Sequence, residues 1–125
     1  MNVYSFIGKQ MTHTPDTLSD DQTADLAEMF RLLGDPTRLR IVLTLLTETV
    51  QVGEIAERLS VSQSLVSHHL RLLRAARLVR HERKGREMHY RIHDHHVSCV
   101  IDDMVAHVAE VREAQHTAGQ EAETA

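Results

Sequence analysis

A chain of 125 residues with 42% hydrophobic and 26% charged residues has the composition of a globular protein and the length for one modest core. No apolar run reaches membrane-spanning length, the N-terminus lacks the basic-then-apolar layout of a signal peptide, and Cys99 stands alone, so a cytoplasmic protein without membrane partner or internal disulfide is expected. The net charge of −4 hides a segregation, with −4 over residues 1–35, +6 over 36–91 and −6 over 92–125, which puts any nucleic-acid face in the middle of the chain.

Residues 1–18 show no sustained period and are expected to be flexible. From Ser19, SDDQTADLAEMFRLLGD carries Leu26, Met29, Phe30 and Leu33 at three- and four-residue spacing, an amphipathic helix opened by Ser19 or an Asp and closed near Gly34. Asp35-Pro36 restarts the chain as N-cap and first helical residue, and the helix that follows is expected to turn Leu39, Val42, Leu43 and Leu46 inward. A short helix over Val52 to Leu59, the turn Ser60-Val61-Ser62 and a longer helix to about Ala75 have the layout of a helix-turn-helix. In it Ile55, Ala56, Leu59 and Val61 pack on Leu65, Val66, Leu70 and Leu73.

LVRHER and EMHYRI flank KGR and read as a β-hairpin with a basic tip, which makes the whole a winged helix-turn-helix, mainly α with one small hairpin. The last helix, about Asp94 to Arg112, bears an apolar stripe of Val97, Val100, Ile101, Met104, Val105 and Val108. The polar residues 113–125 are expected to be a disordered tail, leaving 19–112 as the folded domain.

Gln63, Ser64, Ser67 and His68 lie off the apolar stripe near the start of the longer helix, where short polar side chains suit base edges in a major groove. Arg71 and Arg74, further along, and Arg83, Lys84 and Arg86 at the hairpin tip suit phosphates, so the expected partner is double-stranded DNA. Few aromatic residues argue against stacking on single strands.

The last helix raises a second question. Asp94 with His96, and His107 with Glu110, each look like half of a metal site, yet His96 and His107 stand roughly 16 Å apart along one helix. Ligands must each lie about 2.0–2.2 Å from a shared ion. Either the spacing is accidental or the second half comes from another chain.

The segments LLGDPTRLRIVLTLL, EIAERLSVSQSLVSHHLRLLRAARLV and RKGREMHYRI, with the terminal DHH and H..E, resemble the ArsR/SmtB family of metal-responsive transcriptional repressors over about Ala24 to Glu110. The resemblance implies a homodimer with its N- and C-terminal helices at the interface. It binds operator DNA without metal and releases it when zinc, or cobalt or nickel, binds, controlling metal efflux or sequestration genes. It also implies that Asp94 and His96 of one subunit join His107 and Glu110 of the other. An antiparallel pair of last helices with its twofold axis near Asp102 would do this, and symmetry would make the site twice.

Two imidazoles and two carboxylates suit tetrahedral zinc, while octahedral nickel would need further ligands, for which His13, His93, His95 and His116 are the spare candidates. The cysteine pair that some relatives carry before the turn is absent from VQVGEIAERL, and Cys99 is expected to be a small buried residue. A filled four-ligand site without a nucleophile elbow or HExxH motif argues against an enzyme or an organic substrate. The rival reading is a winged-helix repressor that answers a non-metal signal or none.

Overall fold

The computed structural model describes residues 17–124, which form five helices and a three-stranded antiparallel sheet. The N-terminal expectation, and His13 with it, falls almost wholly outside these residues. Helix α1 (Asp20–Leu33) starts at a capping box: the Ser19 hydroxyl accepts from the Gln22 amide (3.1 Å), and the Gln22 side chain accepts from the Ser19 amide (2.9 Å). Helix α2 (Pro36–Thr44) follows at once, its free N-terminal amides met by Asp35, whose carboxylate accepts from the Arg38 N–H at 2.9 Å.

The strand β1 (Val50–Gln51) leads into α3 (Val52–Leu59), and α4 (Gln63–Ala75) completes the helix-turn-helix. Strands β2 (Val79–Lys84) and β3 (Glu87–Ile92) make the wing, with Lys84 opposite Glu87 across a turn that needs Gly85 at φ +64°. Helix α5 (His95–Thr124) closes the chain.

One core serves all of this. Ile41 and Val42 of α2, Ile55 of α3, Val66, Leu70 and Leu73 of α4 and Val79 of β2 are fully enclosed, with Leu32 of α1 and Ile101 of α5 at its edge. The expected inner face of α2 is corrected. Leu43 is exposed while Leu39 and Leu46 are only half-buried, because Ile41, Val42 and Leu45 are the residues that meet the core. Leu65, expected between the two helices of the motif, is likewise exposed, and Val66 fills that space.

Two further differences concern the ends of elements. Strand β1 was not foreseen; its Val50 pairs with Tyr90 of β3, making the sheet order β1-β3-β2 and burying Val50 under it. The tail expected to be disordered from residue 113 is helical to Thr124, an extension its alanine, glutamate and glutamine residues favour. Among the described residues, no helix is long and apolar enough to cross a membrane.

Candidate DNA-reading face and metal centre

The turn between α3 and α4 is made by Ser60 in the left-handed region (φ 56°), after which the Val61 amide donates back to the Ala56 carbonyl at 3.1 Å. Ser62 then caps α4, its hydroxyl accepting from the Leu65 amide at 3.1 Å. This aims the first turns of α4 outward. Gln63, Ser64, His68 and Arg71 are exposed and Ser67 is half-buried, while Arg83, Lys84 and Arg86 are exposed at the wing tip. The residues read as base- and phosphate-directed therefore lie on two surface elements that a duplex could meet together.

The basic middle of the chain is not all directed at DNA. Arg58 is held by Glu48 (2.6 Å) and Glu54 (2.8 Å), and the Arg38 Nε–H donates to the Leu32 carbonyl at 2.9 Å, fastening α2 to α1. Arg74 is exposed, but its Nη1 lies against the His81 ring at 2.7–2.9 Å.

Gln63 lies over α3. A Cβ built at Gly53 would come within 3.3 Å of the Gln63 Nε2, so glycine is what lets that amide settle there. Gly53→Ala should favour α3 by less than the helix-interior value of about 1 kcal/mol, while moving the Gln63 amide off its place by a few tenths of an ångström. The expected outcome is an unchanged or higher melting temperature together with altered base preference at one operator position, read by binding to a set of single-base operator variants.

Two histidines here escaped the sequence reading. His69 is 9% exposed, on the buried face of α4, and its Nδ1 has no hydrogen-bond partner. Its spacing, three after Val66 and four before Leu73, was the available signal. Burial pushes its pKa below the ordinary 6.5; Asp35 opposes the shift, and Arg38 and His68 add to it. Burial, then Arg74, pushes His81 in the same direction. The unfolded chain thus binds more protons below pH 6.5, so the stability these two rings supply is present above that value and is lost as the pH falls through the lower folded values. Melting temperature should fall between about pH 7 and pH 5, and less steeply in His69→Leu.

At the other end of the molecule Asp94 caps α5. Its Oδ1 accepts from the Val97 amide at 3.0 Å, and its Oδ2 lies 3.1 Å from His93 Nδ1. The Val97 bond first, and His93 second, hold its carboxyl below the ordinary carboxylate value, so it is a carboxylate at neutral pH. His96 Nδ1 stands 3.7 Å from Asp94 Oδ1 on a side chain that is 94% exposed.

His107 and Glu110 are exposed further along α5, three residues apart. Among the described residues, no three His, Cys, Asp or Glu side chains of one chain gather closely enough to hold an ion. The structure therefore brings Asp94 and His96 together and leaves His107 and Glu110 apart from them. Cys99, expected to be buried, is exposed, with its Sγ 3.2 Å from His95 Nε2. It sits on the outward side of a helix whose Val100, Met104 and Val108 are also uncovered, Met104 by 55%. Between α1 and α5, Leu26, Phe30, Val97 and Val100 line a mainly apolar groove that His96 also borders.

A profile described as "Bacterial regulatory protein, arsR family" matches residues 35–81, the stretch from the α2 cap to the first wing strand. The chain is 40% identical over 96 residues to a transcriptional repressor SmtB homolog of Synechocystis, covering 77% of this chain and 73% of that protein. The chain belongs to the ArsR family. This ArsR protein is also 46% identical over 83 residues to the HTH-type transcriptional repressor SmtB of Mycobacterium tuberculosis, covering 66% of this chain and 62% of that one. Its fold matches the homodimeric winged helix-turn-helix DNA-binding domain of a possible ArsR-family regulator from Mycobacterium bovis. There the TM-score is 0.66 at 24% identity, over 80% of this chain and 94% of that one. This ArsR protein is accordingly a DNA-binding regulator with a winged helix, not an enzyme.

Proposed function

We propose that this protein is a cytoplasmic metal-sensing transcriptional repressor. As a metal-free homodimer it holds operator DNA, and on binding zinc, or cobalt or nickel in its place, it lets go and opens metal efflux or sequestration genes to transcription. The observation that carries the reading is the layout of α5: one donor pair at its start and another near its middle, flanking an uncovered apolar stripe and too far apart to meet within one chain. A second copy packed antiparallel about Asp102 brings Asp94 and His96 of one subunit to His107 and Glu110 of the other. It also covers Val100, Met104 and Val108, and places Cys99 within the interface. The relatives named as repressors support the regulatory part of this reading, and the homodimeric Mycobacterium bovis domain of the same fold supports a dimer.

The donor set fits the metal. Two imidazoles and two carboxylates are nitrogen and oxygen ligands in the number a structural zinc takes, and Asp94 and His96 already converge from one turn of chain. Zinc supplies a fixed charge that ties the two subunits in one relative placement. DNA release follows when that placement differs from the one in which both α4 helices reach successive major grooves, because a ligand shifts an equilibrium only by its differential affinity for the two states. Gln63, Ser64, Ser67 and His68 read bases in this account, and Arg71, Arg74, Arg83, Lys84 and Arg86 hold phosphates.

The test is release of an operator duplex from the dimer on separate addition of Zn²⁺, Co²⁺ and Ni²⁺, with the visible spectrum of the Co²⁺ form recorded alongside. Release by zinc with an intense tetrahedral cobalt spectrum is expected. Release by nickel with a weak octahedral spectrum would bring His93, His95 or His116 into the ligand set. No release by any of the three would leave a winged-helix repressor answering another signal or none.

A further inference from the structure

We propose that His81 is a positioning residue for DNA binding: its imidazole receives the Arg74 guanidinium and couples the last turn of α4 to the first strand of the wing, so that helix and wing meet a duplex as one unit. The inference rests on the DNA-binding reading above. Arg74 stands in the last turn of α4, and His81 is the third residue of β2. Between them the chain turns sharply through Arg77, at φ 60°, and the Leu78 amide donates back to the Leu73 carbonyl at 2.9 Å. Nothing in that turn fixes where a long, exposed arginine side chain points; the contact with His81 does. Arg74 Nη1 is 2.9 Å from Nδ1 and 2.7 Å from Nε2 of the ring.

The ring in turn packs on a neighbour in the sheet. His81 faces Tyr90 in the sheet register, and the two rings pack at 5.4 Å and 52°. His81 is therefore wedged between α4 and β3, with Arg74 and Tyr90 the groups that face it. A guanidinium has only donors and a neutral imidazole has one nitrogen free to accept, so only one of the two distances is a hydrogen bond, and the ring must be neutral to make it. Burial and the arginine itself favour that neutral form. The contact engages one end of a fork with five N–H groups, and the fork is the geometry that suits a phosphate. An arginine held in place before binding has less side-chain freedom to lose when it meets one.

The test measures binding to a mixed-sequence DNA duplex over a series of salt concentrations for the full chain, Arg74→Gln, His81→Phe, His81→Gln and the double variant Arg74→Gln/His81→Phe. Arg74→Gln should lower the slope of log affinity against log salt by about one, the mark of one lost phosphate contact. His81→Phe, which keeps the packing on Tyr90 and loses the acceptor, should weaken binding roughly two- to tenfold, the cost of immobilising one long side chain. His81→Gln, whose amide oxygen can accept from the guanidinium, should recover most of that loss. Once Arg74 is gone, His81→Phe should cost nothing further.

Without DNA, the NMR titration midpoint of His81 should rise in Arg74→Gln, a measurement that does not depend on whether His81→Phe folds. An unmoved midpoint, or a His81→Phe penalty equal in both backgrounds, overturns the proposal while leaving DNA binding in place. Failure of the wild-type chain to bind any duplex overturns the DNA-binding reading and the proposal with it.

Discussion

His107→Gln is expected to bind operator DNA as the wild type does and to stay bound when zinc is added. His107 lies on α5, exposed and outside the core, and is none of the residues assigned to DNA, so its loss should leave folding and DNA binding intact. It supplies one of four proposed ligands. Removing even an outer-shell partner of a metal site costs roughly 10–100-fold in affinity, so losing a ligand should cost more than about 100-fold. Coupling between metal and DNA of the usual size, about 1–3 kcal/mol, corresponds to a 5- to 150-fold drop in DNA affinity on metal binding. That drop should vanish in the variant at metal concentrations that release the wild type. A mobility shift with and without zinc reads both effects, and a variant still released at wild-type zinc concentrations removes His107 from the mechanism.

Met104→Glu should produce a folded monomer. Met104 is 55% exposed at the centre of the outward stripe of α5, two residues from the proposed twofold axis, so symmetry puts two carboxylates into the middle of the interface. Burying an unpaired charge costs several kcal/mol, far more than an interface side chain normally contributes. The fully enclosed core residues, Ile41, Ile55, Leu70 and Leu73, are untouched, and helical circular dichroism should be retained. Linking two DNA-reading modules raises binding by about 10²–10⁴ over one alone, so duplex affinity should fall by at least about 100-fold. Sedimentation equilibrium checks the first outcome and a mobility shift the second; a dimer that survives the change would place the interface elsewhere.

Much of the fold was legible because strong local signals agreed with one another. Ser19 at the start of α1, Asp35 with Pro36, the Ser60-Val61-Ser62 turn and Gly85 at the wing tip each mark an element end through a capping or turn requirement that tertiary structure then leaves alone. The face of α2 was not legible. Leu39, Ile41, Val42 and Leu43 in a nine-residue helix, with Leu45 and Leu46 directly after it, leave almost no polar side, so periodicity could not select the one that α3 and α4 cover. Strand β1, at two residues, has no alternation to read and exists because β3 offers it an edge.

The candidate sites divide the same way. Outward polar residues on α4 and the wing could be named from pattern alone, since exposure is the complement of the apolar stripe. The Arg74–His81 contact could not, because it joins two elements through a turn whose course depends on Arg77 at φ 60°. Cys99 was misplaced for a related reason: apolar neighbours predict burial, but the stripe around it is uncovered in the single chain.

Metal binding by a mixed dimer decides whether the α5 site is shared between subunits. One variant carries Asp94→Ala and His96→Gln, the other His107→Gln and Glu110→Gln, and each alone should bind no zinc at the α5 site. Mixed and re-equilibrated, they form dimers in which one site has both its halves intact and the other has neither. Mixing should restore one zinc per mixed dimer, with the tetrahedral cobalt spectrum returning alongside. Binding by either variant alone, or no recovery in a mixture shown to contain the mixed dimer, would contradict a site shared between subunits.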